Sequence, residues 1–335
     1  MDANRRTMLK LAAVFAAALA LERGHAMDAS PRKADGAGGP PRPGGGGLHN
    51  GYAIGGTSNF KAVYGDPKLK AEFLLFLVNV YNLYPEDRFH KLIDEISLAQ
   101  SSDRDVYRLV QSRLGDIRPL LADVRLALPA LAKQKKEMAR QTVDLLGAGR
   151  AINGYMEIGT TGRYISRIQS EIELRGDLVL VNSDAPGYSP TDIVERGQLT
   201  RIGRFVPLND YAPVAVPEAS LDLITNFIGF HHSPPERLEP FMKSLHRALR
   251  PGGRMIVRDH DVDSPRMNRM VALAHDVFNM GLGTEWAVNQ AEIRLFTSLQ
   301  QLAGQLERTG FRKDPKALYQ PGDPTQNALM IFTRV

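Results

Sequence analysis

The sequence predicts an α/β protein in which a doubly wound, mostly parallel sheet follows an N-terminal helical lobe. Two observations predict this fold. Apolar residues recur at three- and four-residue spacing between residues 60 and 150, as on the buried faces of helices. From Gly154 onward, short apolar strands alternate with helices, which is the pattern of βαβ units and of a parallel sheet.

Residues 1–26 are expected to be an export signal. Residues 4–10 (NRRTMLK) match the twin-arginine pattern, an apolar run follows at 11–21, and small residues end at Ala26. Eleven helical residues span about 16 Å, whereas a bilayer core is about 30 Å thick, so no stable membrane span is expected. If the signal is used, the chain is exported or periplasmic. The alternative is a cytoplasmic protein that starts at Met27.

Residues 27–59 are expected to form a flexible linker. The stretch 31–56 holds ten glycines and four prolines. Such a composition buries too little apolar surface to offset the entropy lost on ordering. A phosphate-binding glycine loop is the alternative, but no strand precedes the stretch, as such a loop requires.

Charge and cysteine content exclude several classes of function. The formal net charge is +5, but only +2 of it lies in residues 51–335, so no nucleic-acid partner is expected. The chain has no cysteine, which excludes disulfides, thiolate metal sites and cysteine nucleophiles.

Two helical regions flank the predicted active-site edge of the sheet. The segment 60–150 is expected to be a lobe that serves as a lid or as a dimerisation surface. An insertion at 262–295, with an apolar helical stripe and the single tryptophan Trp286, either joins that lid or simply packs on the N-terminal helices.

The strands of the sheet are expected in the second half of the chain. In such sheets ligands bind outside the carboxyl ends of the strands. The predicted strands are 155–159, 178–183, 204–208, 221–230 and 254–259, with closing strands around Phe311 and at 328–333.

The turn after the first predicted strand carries the most informative motif, Glu157-Ile-Gly159-Thr-Thr-Gly162. Glycines at a strand-to-helix turn allow a ligand to approach backbone N–H groups at the helix N-terminus. About twenty residues later the second strand runs into Asn182-Ser-Asp184, where a carboxylate can accept hydrogen bonds from ribose hydroxyls. Nicotinamide-dependent dehydrogenases share this layout, and Asn182 or Ser183 could take the place of Asp184.

Residues 154–335 resemble the class I S-adenosylmethionine-dependent methyltransferases in several features that occur in order. Residues 157–162 fit the acidic-x-Gly-x-x-Gly motif, and residues 219–226 resemble the fourth strand of the family. Residues 245–257 (LHRALRPGGRMIV) resemble its helix, Pro-Gly-Gly turn and fifth strand. Residues 296–333 resemble its last helix and antiparallel hairpin. The resemblance implies a seven-stranded, Rossmann-like methyltransferase sheet and S-adenosyl-L-methionine as cofactor.

The resemblance also implies a set of cofactor-binding residues. The amino-acid and ribose end of the cofactor is expected to be held by Glu157, Gly159, Thr160, Thr161 and Gly162. Asp184 is expected to hold the ribose hydroxyls, and the adenine is expected to be flanked by Asp210 and Tyr211. The loop expected to lie under the cofactor consists of Asn226, Phe227 and Ile228.

Histidines mark the expected acceptor side. His231 and His232 follow the fourth strand, and His260 and Asp261 end the fifth, so all four are candidate catalytic residues. Histidine is the side chain best suited to accept a proton near neutral pH. Structural hydrogen bonding and a His/carboxylate metal site that includes Asp259 are the alternatives. The ligand spacing of metal-dependent methyltransferases is not recognisable, so no metal is expected.

The expected function is therefore methyl transfer to a small or medium-sized, partly apolar molecule. One alternative is an exported binding or scaffold protein that has kept the fold without turnover. Another is a protein or nucleic-acid methyltransferase. The expected partners are the small-molecule acceptor and, if the signal is used, the twin-arginine export machinery. A homodimer is left open.

Overall fold

The computed structural model describes residues 49–50, 58–119, 123–147 and 149–335. The predicted export signal and most of the predicted linker lie outside the described residues.

The strands of the described chain form a seven-stranded sheet and a separate two-stranded ladder. The strands are β1 (His49–Asn50), β2 (Ala151–Ile158), β3 (Glu173–Asn182), β4 (Arg204–Pro207), β5 (Leu221–Asn226), β6 (Leu249–His260), β7 (Leu295–Phe296), β8 (Phe311–Tyr319) and β9 (Asn327–Arg334).

The large sheet has the order β4-β3-β2-β5-β6-β9-β8. The first five strands pair in parallel, whereas β9 is antiparallel to both β6 and β8. The short strands β1 and β7 pair with each other. The predicted doubly wound, mostly parallel seven-stranded sheet is confirmed, and helices precede it as expected.

Helices surround this sheet and build the lobe. They are α1 (Asn59–Tyr64), α2 (Pro67–Phe76), α3 (Glu86–Ala99), α4 (Asp103–Ile117), α5 (Leu128–Leu146), α6 (Ile165–Gln169), α7 (Pro190–Arg196), α8 (Pro235–Ala248), α9 (Pro265–Gly281), α10 (Trp286–Ala291) and α11 (Leu299–Arg308), with π-helical turns at Leu77–Tyr81 and Asp123–Ala127. Several begin at a polar side chain that accepts from first-turn N–H groups, as Ser102, Ser264 and Ser298 do. None of the described helices is long and apolar enough to cross a membrane.

The lobe has its own apolar core, to which the predicted insertion contributes. Phe73, Tyr81 and Phe89 from the N-terminal helices are fully buried in one cluster with Val271 and Met280 of α9. Helices α1 to α4 and α9 therefore fold as one layered unit, and the insertion completes the lobe by packing on it.

Helix α5 packs on the sheet, although the sequence places it in the helical lobe. Met138 and Leu146 are buried in the same cluster as Tyr155 of β2 and Ile165 and Ile168 of α6. Helices α8 and α11 cover the opposite face. The apolar spacing of α5 predicts a helix correctly, but spacing alone does not say which core that helix joins.

Strand β5 ends earlier than the sequence predicts. It stops at Asn226 rather than at residue 230, and Gly229 then adopts a left-handed conformation with φ +79°. A Cβ at this glycine would lie 2.6 Å from Nδ1 of His231 and 2.9 Å from a carboxylate oxygen of Asp259. The glycine therefore lets the loop turn closely over these two side chains.

Candidate active site

The carboxyl ends of the parallel strands bring most of the predicted site residues to one edge of the sheet. Ile158 at the end of β2 pairs with Val181 of β3 on one side and with Asn226 of β5 on the other. Asn182 pairs in turn with Pro207 of β4. The segments that follow β2, β3, β4 and β5 consequently open on the same edge, where ligands bind in sheets of this type.

The glycine motif forms a tight turn between β2 and α6. Gly159 and Gly162 have φ values of +86° and +95°, a region that side chains other than glycine rarely adopt. The buried hydroxyl of Thr160 accepts hydrogen bonds from the backbone N–H groups of Gly162 and Arg163, at 3.1 and 3.0 Å. The turn is therefore fixed by bonds within the motif.

Glu157 is fully buried beneath this turn. Its carboxylate accepts hydrogen bonds from the hydroxyl of Thr160, from the hydroxyl of Tyr155 at 3.2 Å and from the N–H of Tyr164 at 3.3 Å. Burial raises the pKa of Glu157, and the hydrogen bonds act in the opposite direction. In the structure this residue braces the turn and the start of α6, a role that the sequence does not reveal.

Two buried polar atoms at the edge lack a hydrogen-bond partner among the described residues. They are Oγ1 of Thr161, within the glycine motif, and Nδ2 of Asn226, at the end of β5. Leaving such an atom unpaired costs about 1–3 kcal/mol. Buried polar groups in native proteins are normally satisfied, so these two atoms fit a site that completes its hydrogen bonds with a bound polar ligand or water.

Ile228 lies directly over Gly159. A Cβ at Gly159 would come within 2.5 Å of the Ile228 side chain. The structure thus brings into contact a residue predicted to hold the amino-acid and ribose end of the cofactor and one predicted to lie under it. Any larger side chain at position 159 must displace Ile228 as well as adopt a left-handed backbone.

Asp184 lies beyond the end of β3 and is exposed. The strand ends at Asn182, which is buried and whose Nδ2 donates to the carbonyl oxygen of Asp184 at 3.1 Å. The last side chain of the strand is therefore Asn182, one of the two residues that the sequence leaves as alternatives to Asp184.

Asp210 and Tyr211 face opposite directions after β4. Residues 209–211 all have positive φ, and Nη1 of Arg237 holds them by binding the carbonyl oxygens of Asn209 and Asp210 at 3.0 and 2.9 Å. The exposed carboxylate of Asp210 lies 3.1 Å from the same Nη1. The ring of Tyr211 is fully buried and packs edge-on against Phe241. Strained backbone of this kind is common at functional sites.

A buried ion pair lies behind the glycine turn. Nε of Arg163 is 2.7 Å from a carboxylate oxygen of Glu195, and both side chains are almost completely buried. Lys135 of α5 lies nearby and donates to the carbonyl oxygen of Val194 at 3.1 Å. Burial, together with the charge of Arg163, lowers the pKa of Lys135 to about 8.

A cavity of about 420 Å³ lies between the lobe and the carboxyl edge of the sheet. Five of the predicted site residues line it, namely Phe227, Ile228, His231, His232 and His260. The glycine turn, Asp184 and Asp210 are not among its lining residues. The cavity is thus on the acceptor side of the predicted site, and its volume suits a small or medium-sized organic molecule.

The three predicted histidines meet a fourth, His275 of α9. The ring centroids of His231 lie 4.1, 5.7 and 5.2 Å from those of His232, His260 and His275. Nε2 of His231 is 3.3 Å from Nε2 of His275. We call these four side chains the histidine cluster; all of them line the cavity.

Each histidine of the cluster has its Nδ1 against an oxygen atom. For His231 this oxygen belongs to the carboxylate of Asp259, at 2.6 Å. For the other three it is a backbone carbonyl oxygen: that of Ile293 for His232 at 3.1 Å, that of Thr325 for His260 at 2.9 Å, and that of Val271 for His275 at 2.9 Å. A carbonyl or ionised carboxylate oxygen only accepts, so Nδ1 is the protonated nitrogen of these rings. The Nε2 atom of a neutral ring then carries the lone pair.

Burial disfavours the protonated form of three rings of the cluster, those of His231, His260 and His275. Burial lowers the pKa of His231 and His275 well below its usual value, and neighbouring histidines lower it further. Burial also lowers the pKa of His260, against the attraction of Asp323 and Asp259. Burial raises the pKa of Asp259, but this carboxylate is held by the backbone N–H groups of Phe230 and His260 as well as by His231.

Asp261 is engaged away from the cavity. Its carboxylate accepts from the N–H of Leu299, at the start of α11, at 3.0 Å and from the hydroxyl of Tyr319 at 2.7 Å. It is not among the residues that line the cavity. Of the four predicted catalytic residues, the structure therefore brings together the three histidines and leaves Asp261 as a brace.

Arg258 is a buried cation in the cavity wall without a carboxylate partner in the described chain. Its guanidinium contacts the carbonyl oxygen of Phe227 at 3.4 Å and the side-chain oxygen of Gln320 at 3.3 Å, and its Nε has no partner there. An uncompensated buried charge is costly, which points to an anionic or strongly accepting ligand group.

Sequence reasoning misses His275 and Arg258. His275 lies four residues after Val271 and three before Phe278, so it occupies the buried stripe of α9, and a polar residue on such a stripe is the available signal. Arg258 directly precedes Asp259 in β6, where a cation in a central strand is an equally unusual feature.

Comparison with known proteins identifies the family. The family model described as a methyltransferase domain matches residues 131–315, which is more than half of the chain. No curated protein sequence matches the chain.

Several solved structures are similar. The 1,6-didemethyltoxoflavin-N1-methyltransferase of Burkholderia thailandensis, solved with 1,6-didemethyltoxoflavin and S-adenosylhomocysteine, is 16% identical, with 62% of this chain and 79% of that chain covered and a TM-score of 0.39. A Bordetella parapertussis protein described as a possible exported protein is 15% identical, with 82% and 95% covered and a TM-score of 0.41. The N-methyltransferase NodS of Bradyrhizobium japonicum is 12% identical, with 61% and 96% covered and a TM-score of 0.37.

Proposed function

Because this chain belongs to the methyltransferase domain family, we propose that it transfers the methyl group of S-adenosyl-L-methionine to a small or medium-sized, partly apolar acceptor. The observation that carries the proposal is the cavity of about 420 Å³ between the lobe and the carboxyl edge of the sheet. It adjoins the predicted cofactor residues through Phe227 and Ile228, which line it, and it is bounded on its other sides by side chains suited to an organic acceptor.

The residues present fit the cofactor. The glycine turn at Gly159 and Gly162 gives a ligand access to backbone at the start of a helix. The unpaired buried atoms of Thr161 and Asn226 offer it a hydroxyl and an amide donor. Glu157, Thr160 and the Phe227–Ile228 loop shape this part of the site. Asp184 or Asn182 would hold the ribose hydroxyls, and Asp210 and Tyr211 would flank the adenine.

The acceptor lies in the cavity with its apolar part against the lobe. Phe76, Val80, Met138 and Phe278 supply apolar wall, and Arg258 supplies an unpaired cation on the side of the sheet. The acceptor is thus expected to carry an anionic or strongly hydrogen-bond-accepting group as well as an apolar surface.

The protein has to align the acceptor with the methyl group and to remove a proton from the acceptor. When bound, S-adenosylmethionine supplies a methyl group that its sulfonium already activates. An acceptor atom that gains the methyl group would also lose a proton, which a basic side chain of this chain would have to accept. We propose His260 as the base that accepts this proton, which is supported by the carbonyl oxygen of Thr325 against its Nδ1 and by its position in the cavity lining.

His231 and His232 complete the acceptor side as positioning residues. Asp259 fixes the ring of His231, and the carbonyl oxygen of Ile293 fixes that of His232. Rings that are held in this way present a fixed set of nitrogen atoms to the acceptor, and alignment of the reacting groups is a large part of catalysis.

Export is the second element of the proposal. The twin-arginine pattern at residues 4–10 and the short apolar run after it support a signal that is removed after Ala26. Mass measurement of the newly made and the mature chain in the native host tests this: conversion of a precursor that begins at Met1 into a chain that begins at Met27 supports export. An intact N-terminus, or a chain that begins at Met27 without such a precursor, contradicts it.

Two other functions make different predictions for the same experiment. A protein or nucleic-acid methyltransferase would place the methyl group in macromolecules, although the charge of +2 over residues 51–335 offers little attraction for phosphates. A binding or scaffold protein would bind the cofactor and transfer nothing.

The test is to incubate the protein with S-adenosylmethionine labelled in the methyl group and an extract of the native host, and then to separate small molecules from macromolecules. We expect label in the small-molecule fraction, and loss of that label in a His260→Ala variant that still folds. Label confined to macromolecules, or no transfer despite cofactor binding, would contradict the proposal.

A further inference from the structure

The histidine cluster has the hydrogen-bonding pattern of a metal site. It gathers four of the eight histidines of the chain on three separate elements: the loop after β5, the end of β6 and helix α9. Every one of these rings has its Nδ1 against an oxygen acceptor. Histidines that bind metals are almost always held in this way, with one ring N–H donated to a carboxylate or a carbonyl oxygen.

The contact between His231 and His275 needs a proton or a metal ion between the two rings. Nδ1 of His231 donates to Asp259, and Nδ1 of His275 donates to the carbonyl oxygen of Val271. In the neutral rings both Nε2 atoms therefore carry lone pairs, and these two atoms face each other at 3.3 Å. Two lone pairs at this distance repel each other unless a cation lies between them.

The spacing matches a tetrahedral metal ion. Zinc binds imidazole nitrogen at about 2.0–2.1 Å, which in a tetrahedron places two nitrogens about 3.3–3.4 Å apart. One ring nitrogen from each of His231, His232 and His275 lies within 4.8 Å of the other two. The third nitrogen has to move closer to the other two to complete a tetrahedral site.

We propose that His231, His232 and His275 bind a divalent transition-metal ion, of which Zn²⁺ is the best fit, at the wall of the acceptor cavity. The chain has no cysteine, so the imidazole groups are the softest strong ligands available to it. Three protein ligands would leave one coordination position open, as in catalytic rather than structural zinc sites, and all three rings line the cavity.

Acidic residues next to the cluster supply the surrounding charge. The carboxylate of Asp259 binds His231 directly, and a carboxylate oxygen of Glu292 lies 3.5 Å from Nδ1 of His232. Glu292 is itself held by Arg294 at 2.8 Å. Carboxylates in this position orient ligating rings and increase their basicity.

A bound metal ion would restrict which chemical groups the methyl acceptor can carry, and this inference rests on the proposed function. An ion with an open position binds oxygen, nitrogen or sulfur donors and lowers the pKa of a bound hydroxyl or thiol. The acceptor is therefore expected to present such a donor to the histidine cluster while its anionic group meets Arg258.

The test is a titration of the chelator-treated full chain with Zn²⁺ alone, in competition with a chromophoric chelator and in the absence of S-adenosylmethionine. We expect one equivalent of Zn²⁺ per chain to bind, and His275→Ala to weaken that binding by about 100-fold or more. His246→Ala, which changes a histidine of α8 outside the cluster, should leave the affinity unchanged. Asp259→Asn removes no ligand and should weaken binding by about 10- to 100-fold.

Cobalt gives a second readout that does not depend on affinity. Bound Co²⁺ should show the intense visible absorption of a tetrahedral site, and His275→Gln should abolish it while the circular dichroism spectrum stays native. Equal Zn²⁺ binding by the His275→Ala and His246→Ala variants, or no stoichiometric binding by the unmodified chain, would overturn the proposal. Because the titration contains no cofactor, its failure leaves methyl transfer intact, and a failure of methyl transfer leaves the metal site intact.

Discussion

Two buried arginines show how single residues divide between stability and function. Arg294 lies in the lobe and pairs with Asp276 at 2.7 Å and Glu292 at 2.8 Å. Arg258 is almost as deeply buried in the cavity wall but contacts only neutral oxygens, at 3.3 and 3.4 Å. Removing one partner of a buried ion pair lowers stability, because the other charge is left unpaired. A buried charge without a partner lowers the stability of the folded protein itself, so it is retained for another reason.

Substitution of the two arginines by methionine should therefore have opposite effects. Arg294→Met leaves two buried carboxylates without their partner and should lower the free energy of unfolding by about 3–5 kcal/mol. Arg258→Met should raise it by about 1 kcal/mol, because an uncompensated charge is removed and the apolar stem is kept. Urea denaturation of both variants measures the difference. A loss of several kcal/mol in Arg258→Met would show that this arginine holds the fold together.

Residues of the candidate site can be predicted from the sequence only where they directly follow the end of a predicted strand. The glycine turn and the pair His231-His232 follow strand ends, so their position along the chain places them at the edge of the sheet. His275 comes from a helix more than forty residues away, and only the packing of α9 brings it to His231. Asp261 is adjacent to the cluster in sequence, yet it is directed to α11 and Tyr319.

At the scale of elements, helix α9 links the lobe to the candidate site. One end of it, at Gly281, packs against the π-helical turn of the lobe, and His275 within it reaches the cluster. The Tyr84 hydroxyl donates to the carbonyl oxygen of Gly281 at 3.1 Å, and a Cβ at Gly281 would come within 1.6 Å of the Tyr81 hydroxyl oxygen. This contact sets how closely α9 can approach the N-terminal helices.

A matched pair of glycine-to-alanine substitutions tests that contact. Gly281→Ala should lower the free energy of unfolding by about 1–3 kcal/mol, because the added methyl group overlaps Tyr81. Gly304→Ala, in the middle of α11 with only the flexible end of Arg308 nearby at 3.7 Å, should raise it by about 0.5–1 kcal/mol through helix propensity. Thermal unfolding followed by circular dichroism compares the two. Equal effects would mean that α9 does not pack this closely on the lobe.

The positions of helices and strands can be predicted from the sequence more reliably than the elements against which they pack. The strands of the sheet and the helices of residues 60–150 follow from apolar periodicity, which is a local property. The assignment of α5 to the sheet, and the end of β5 at Asn226, depend on contacts between distant segments. Periodicity shows that a face is buried and leaves open what buries it.

At the scale of the whole molecule, the site forms where two units meet. The sheet supplies the glycine turn, the ends of its parallel strands and Arg258, and the lobe supplies Phe76, Val80 and α9. The cavity lies between them, and in the proposed function it would limit access of water to the transferred group. The insertion and the N-terminal helices therefore form one wall of the cavity, and whether they serve as a lid or as a dimerisation surface stays a prediction.

Calorimetric titration of the full chain tests whether the carboxyl edge of the sheet binds S-adenosylmethionine. We predict saturable, one-to-one binding of both S-adenosylmethionine and its demethylated product. The Gly159→Val variant should lose that binding, because its side chain displaces Ile228 from the turn, while Gly304→Ala retains it. If a correctly folded chain binds neither compound, the account of this protein as a methyltransferase is contradicted.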